Sequence, residues 1–197
     1  MKKLFILPSI LLFCLTAWAA EPEFRNAHWE ESKKQVTASE KAPLELVTHD
    51  NEKLKRLETL RGDAKAFGFD CALRFFFVDD KLATGTYTFT QTHKDNSKYL
   101  EDYKKVERML EEEYGSASPS PLSFENVKDP FKNDPAGAIA AGALLYQTHR
   151  EIKTEEGQVS TRVVHMLSSS DGPQHRVIYS HPELSQLQTD IIRESQK

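Results

Sequence analysis

Phe69-Asp70-Cys71-Ala72-Leu73-Arg74-Phe75-Phe76-Phe77-Val78, then Asp79-Asp80, then Lys81-Leu82-Ala83-Thr84-Gly85-Thr86-Tyr87-Thr88-Phe89-Thr90-Gln91 is the stretch on which the fold turns. Aromatic and β-branched residues fill both arms, and two residues suited to a tight turn lie between them, so the stretch reads as a β-hairpin. Side chains alternate across a strand. Cys71, Leu73, Phe75 and Phe77 therefore share one face of the first arm, and Ala72, Arg74, Phe76 and Val78 share the other. Both faces are largely apolar, which predicts an interior strand covered by a helix on one side. In the second arm Tyr87 and Phe89 face inward, and Thr84, Thr86, Thr88 and Thr90 form a face expected to meet solvent.

On the N-terminal side, Leu44–Thr48 and Leu54–Leu60 read as weak strands around the turn-forming Asp50-Asn51. Ahead of them Ser32-Lys33-Lys34-Gln35 fits a capping box, which predicts a short helix from Lys33 to Glu40 with Val36 inward and Trp29 near its entrance. On the C-terminal side, Ser97 is the expected N-cap of a longer helix. Its apolar stripe is Tyr99, Tyr103, Val106 and Leu110, and Gly115 is its expected C-cap. Residues 116–137, rich in Pro and Ser, read as a long loop in which Phe124 and Phe131 serve as anchors or contact residues. Ala143–Lys153 and Val159–Leu167 form a second expected hairpin, Gln174–Tyr179 a further strand, and a helix beginning at Pro182 closes the chain with Leu184, Leu187 and Ile191 inward.

This order predicts an α+β fold: an antiparallel sheet of hairpins with helices packed on one face, arranged as two helix-plus-hairpins units at about 20–94 and 95–197 of a single domain, 20–197. Residues 1–19 read as an export signal, with Lys2 and Lys3, an apolar run from Leu4 to Trp18 broken by Pro8, and Ala17-Trp18-Ala19 at the cleavage point. The run is too short to span a membrane. Cleavage near Ala19 would place the chain in the periplasm or outside the cell, and would leave Cys71 as the one cysteine, with no internal disulfide. The charge of −4, from 30 acids against 26 basic residues, becomes more negative once Lys2 and Lys3 leave. A basic nucleic-acid groove is therefore not expected.

The small-residue stretch Ala136–Ala143 lacks the Lys-Ser/Thr of a phosphate loop, and no Gly-x-Ser-x-Gly, His-Glu-x-x-His or Cys-x-x-Cys occurs. His149 and His165 are weak metal candidates. They would face each other across the second hairpin if its centre falls at Gly157, but no third ligand follows from spacing. No catalytic residue, resident metal or cofactor is expected. The leading expectation is a non-catalytic binding protein whose partner is another protein or an envelope component, engaged through the sheet face or the Pro/Ser loop by residues such as Phe124, Phe131, Arg74 and Tyr87. The alternative is an envelope hydrolase or small-ligand binder with a pocket between helix and sheet, built from Arg74, Tyr87, His149 and His165.

Phe24-Arg25-Asn26-Ala27-His28-Trp29-Glu30-Glu31-Ser32-Lys33-Lys34-Gln35-Val36 resembles the mature start of a family of poorly characterised bacterial exported proteins, with an Arg and a Trp before a Ser-Lys helix start. The aromatic hairpin and the helix ending in Tyr114-Gly115 are similar to later parts of the same family. The order of elements is distantly similar to the α/β modules of BamE/SmpA-type assembly lipoproteins and of β-lactamase-inhibitor proteins. Glu30 stands where those modules usually have Gly, and no Pro closely follows Gly115. The resemblance implies a periplasmic protein that binds other proteins and catalyses nothing.

Overall fold

The computed structural model describes residues 23–48, 50–118, 124–128 and 131–197, with only the backbone of 124–127. The expected signal, 1–19, lies outside the described residues, as does the Phe124 side chain. Among the described residues no helix is long and apolar enough to cross a membrane.

The architecture is α+β. Eight strands form one antiparallel sheet: β1 (Glu45–Val47), β2 (Leu57–Ala66), β3 (Phe69–Val78), β4 (Lys81–Phe89), β5 (Phe124–Val127), β6 (Leu144–Lys153), β7 (Val159–Ser168) and β8 (Gln174–Ser180). Their order, β1-β2-β3-β4-β8-β7-β6-β5, joins two four-stranded meanders through their last strands, with pairing from Thr84↔Ser180 to Thr88↔Arg176. The helices are α1 (Lys33–Ser39), α2 (Ser97–Tyr114), α3 (Pro135–Ala140) and α4 (Pro182–Ser195).

The β3–β4 turn places Asp79 and Asp80 at φ 50° and 62°, the left-handed pair that a two-residue hairpin requires. Arg56 grips the Asp79 carboxylate with Nε at 2.9 Å and Nη2 at 2.6 Å, and the Lys33 amide donates to Asp80 at 3.1 Å, so the strained turn is tied to two neighbours. Cys71, Leu73, Phe75 and Phe77 are buried in the main core, as their alternation predicts. That core lies between the sheet and a layer made of α1, α2 and the segment leading into α1. Phe24 packs its ring against Phe75, Tyr87 and Tyr179. Trp29 donates from Nε1 to Thr161 Oγ1 at 2.8 Å, tying the chain's start to β7. Ser32 and Gln35 form the expected capping box.

Five expectations need correction. Helices do not all lie on one face, because α4 crosses to the opposite one and packs Leu184, Leu187 and Ile191 on Leu57, Val78 and Ala83. The threonine face of β4 is consequently solvated only towards its end: Thr90 is exposed and Thr88 half-buried, but Thr84 and Thr86 are buried, and Thr84 Oγ1 donates to Gln188 Oε1 of α4 at 3.0 Å. Leu54 ends a 3-10 turn capped by Asn51 Oδ1, and the strand begins at Leu57 and runs to Ala66. Ser97 is the first helical residue rather than the N-cap of α2, and its amide is taken by Asp95 Oδ1 at 2.9 Å. Finally, residues 116–137 are not all loop. Strand β5 pairs with β6, and α3 starts at Pro135, a residue with no amide to leave orphaned, capped by Asp134 Oδ1 on the Gly137 amide.

Candidate functional site

The four residues of the expected helix–sheet pocket do not converge. Tyr87 and His165 are buried on the α2 face, with Val177 of β8 in register between them. Arg74 and His149 belong to the opposite face, in a row that runs Arg61, Arg74, Thr86, Ile178, Val164, His149 across six strands. The β6–β7 register pairs Thr148 with His165 and His149 with Val164, one residue away from the symmetric pairing. That single step puts the two histidines on opposite faces and removes the metal pair. Among the described residues, no group of three His, Cys, Asp or Glu side chains is placed to hold a metal ion. Phe131 is half-buried against the cluster of Tyr103, Ile139, Leu144 and Tyr146, so it anchors its segment. Cys71 is buried, donates to the Ala64 carbonyl at 3.3 Å, and burial pushes its thiol up to about 11, which leaves no nucleophilic thiolate.

His165 instead joins a buried polar chain. Its Nδ1 lies 2.7 Å from Glu107 Oε2 and its Nε2 lies 2.8 Å from His175 Nε2. Satisfying both contacts fixes the tautomers: His165 donates from Nδ1 to the carboxylate and accepts at Nε2 the proton on His175. Arg150 donates to Glu107 Oε1 at 2.5 Å and to the Gly115 carbonyl at 2.9 Å, closing the C-terminal end of α2, and Thr148 Oγ1 donates to Glu107 at 2.8 Å. Tyr103 stacks on the His165 ring at 4.1 Å. Burial would raise the Glu107 pKa, but hydrogen bonds from His165, Arg150 and Thr148 outweigh it and hold it at about 2. Burial lowers both histidines, His175 to about 3, with the neighbouring His165 adding to its shift. The chain is thus a carboxylate with two neutral imidazoles, a design that cross-links α2 to β6, β7 and β8.

The sequence carries a signal for these residues. Glu107 falls four after Tyr103 and three before Leu110, on the buried stripe of its helix. His165 and His175 alternate with Val163 and Leu167, and with Val177 and Tyr179, on apolar strand faces.

The α4 face carries a different surface. Beyond α4 the sheet presents half-buried Val164, Met166 and Ile178, flanked by Arg61, Arg74 and Arg176. Arg61 pairs with Glu45 at 2.8 Å and stands directly opposite Arg74, an arrangement of like charges that destabilises a strand pair. Arg74 forms no ion pair among the described residues. Arg176 donates from Nη2 to Gln174, while its Nε is buried with no hydrogen-bond partner among the described residues. A pocket of about 550 Å³ opens beside Arg61 and Arg74, with Pro43, Glu45 and Asp63 on its walls. No protein-family model, curated protein or solved structure matches the chain.

Proposed function

We propose that this is an exported, periplasmic, non-catalytic protein that binds a partner protein with an acidic surface on the uncovered part of its α4-side sheet face. One observation carries the reading. In a chain with an excess of acids, Arg74 and Arg176 are set on the same sheet face with no ion pair among the described residues, beside half-buried Ile178, Val164 and Met166. Unpaired guanidinium groups beside an apolar strip supply the polar rim and the apolar centre of a protein interface. The buried carboxylate–imidazole chain supports the non-catalytic part of the reading, because its polar atoms are spent on one another and on holding α2. The export signal read at residues 1–19 supports the location.

Formaldehyde crosslinking in intact cells tests the reading. The wild-type protein should give a discrete heavier adduct, and the double variant Arg74→Glu/Arg176→Glu should lose it while folding normally. An adduct that survives the charge reversal and disappears on deleting residues 119–123, which leaves β5 in place, would move the interface to the Pro/Ser loop and overturn the assignment to the sheet.

A further inference from the structure

On the α2 face, away from the surface just described, a pocket of about 380 Å³ opens between the C-terminal end of α2, the segment before α1 and the end of β2. Phe24, Tyr87 and Tyr179 are buried there, Phe67 and Tyr114 are half-buried, and Met109 is exposed at the edge. Five aromatic rings and one thioether therefore line a single pocket.

The charges around these rings do not balance. Arg25 is committed to Glu40 through two hydrogen bonds of 2.6 and 3.0 Å and lies over the Tyr87 ring at 5.9 Å, Lys65 bridges to Asp70 at 3.2 Å, and Glu23 accepts from His28 at 3.1 Å. Glu113 is left, a lining carboxylate with no ion pair among the described residues. It occupies the last turn of α2, where the helix dipole is negative, and follows Glu111 and Glu112, so its charge is unfavourable to the helix that carries it. Burial raises the Tyr114 and Tyr179 hydroxyls; the Glu113 carboxylate, hydrogen-bonded by the Tyr114 hydroxyl, pushes Tyr114 further up, and Tyr114 does the same to Tyr179, so both phenols stay neutral. Aromatic faces, a carboxylate with no ion pair among the described residues and the negative end of a helix all attract positive charge.

We propose that this pocket binds an alkylammonium cation, with the Tyr114 and Phe67 rings against the ammonium group and Glu113 as its counter-charge. The site is independent of the sheet-face reading, and its failure would leave that reading untouched.

The test follows the methyl resonance of Met109, with Met166 on the opposite face as the internal control. Choline should shift Met109 saturably and leave Met166 unmoved. Its uncharged carbon isostere, 3,3-dimethylbutan-1-ol, should bind about tenfold more weakly, and Glu113→Gln, an exposed position whose change preserves the fold, should weaken choline by about five- to tenfold. Tyr114→Leu should weaken it as well. Vesicles of phosphatidylcholine distinguish the source: co-sedimentation lost in Glu113→Gln assigns the cation to a lipid headgroup, and a response to choline without vesicle binding assigns a free small molecule. Met109 unmoved by choline up to about 50 mM, or equal binding of choline and the neutral isostere, would overturn the proposal.

Discussion

At Gly85 the ring of Phe24 lies directly on the sheet, and a Cβ built there would come within 2.1 Å of it. Gly85→Ala should therefore expel Phe24 from its contacts with Phe75, Tyr87 and Tyr179, and cost about 1–3 kcal/mol by overpacking. Urea denaturation measures this, and an unchanged midpoint would mean the ring is not seated there. Glu107 makes a larger demand. Glu107→Gln removes the anion that pairs buried Arg150 and receives His165, and should cost about 3–5 kcal/mol.

The same cluster fixes how stability depends on pH. His165 and His175 have folded pKa values below their ordinary 6.5, so the unfolded chain takes up their protons first as pH falls. Their contribution is complete above about pH 6.5 and is lost as pH falls through the folded values, that of His175 being about 3. Glu107, held at about 2 against an ordinary 4.5, adds a further loss below pH 4.5. Urea midpoints should therefore drop steadily from pH 7 to pH 4. His175→Gln, which keeps a donor for His165, should reduce the slope in that range by about one proton, or ~1.4 kcal/mol per pH unit. A slope unchanged by that variant would contradict the neutral assignment.

Among the elements, the first arm and two-residue turn of the aromatic hairpin β3–β4 were legible, because alternation and such a turn are local properties of the chain, whereas β4 ends at Phe89 rather than Gln91 and an irregularity at Phe76/Phe77 shifts its register. The bounds of α1, with its Ser32–Gln35 box, and of β6, β7 and β8 were legible to within one residue. What was not legible depended on partners distant in sequence. Thr84 of β4 looks solvated until α4 returns over it, and a period-2 pattern does not say which helix will cover which face. The β6–β7 register differs from the symmetric one by a single residue, with an irregularity between Ile152 and Lys153, and that step decides the face of every side chain beyond it, His149 and Arg150 included. Of the candidate site residues, Arg74 proved to belong to the exposed arginine row and Tyr87 to the aromatic pocket, and nothing local could reveal that they would be on opposite faces of the sheet. The segment before α1 is an element of the same kind. Its hold on the sheet includes the Trp29–Thr161 hydrogen bond, so Thr161→Val should cost about 1 kcal/mol and shift Trp29 emission.

As a whole molecule, the protein is two meanders sharing one sheet through β4 and β8, with Phe24, Tyr87 and Tyr179 from three separate parts of the chain in one core cluster. Both meanders should unfold together. Trp29 emission and far-ultraviolet circular dichroism should give coincident urea transitions, and two separated transitions would show the meanders to be independent. The sheet that unites them also gives the molecule two unlike surfaces: a packed α2 face held by Glu107, His165 and His175, and an α4 face left half open, with Arg74, Arg176, Ile178 and Met166 presented together. The proposed function rests on that second surface. Photo-crosslinking in intact cells tests it most directly, with a photoreactive residue replacing Ile178 on the open face and, as control, exposed Lys104 on α2. The account predicts a discrete protein adduct from position 178, suppressed by Arg74→Glu, and none from position 104; adducts from position 104 alone would contradict it.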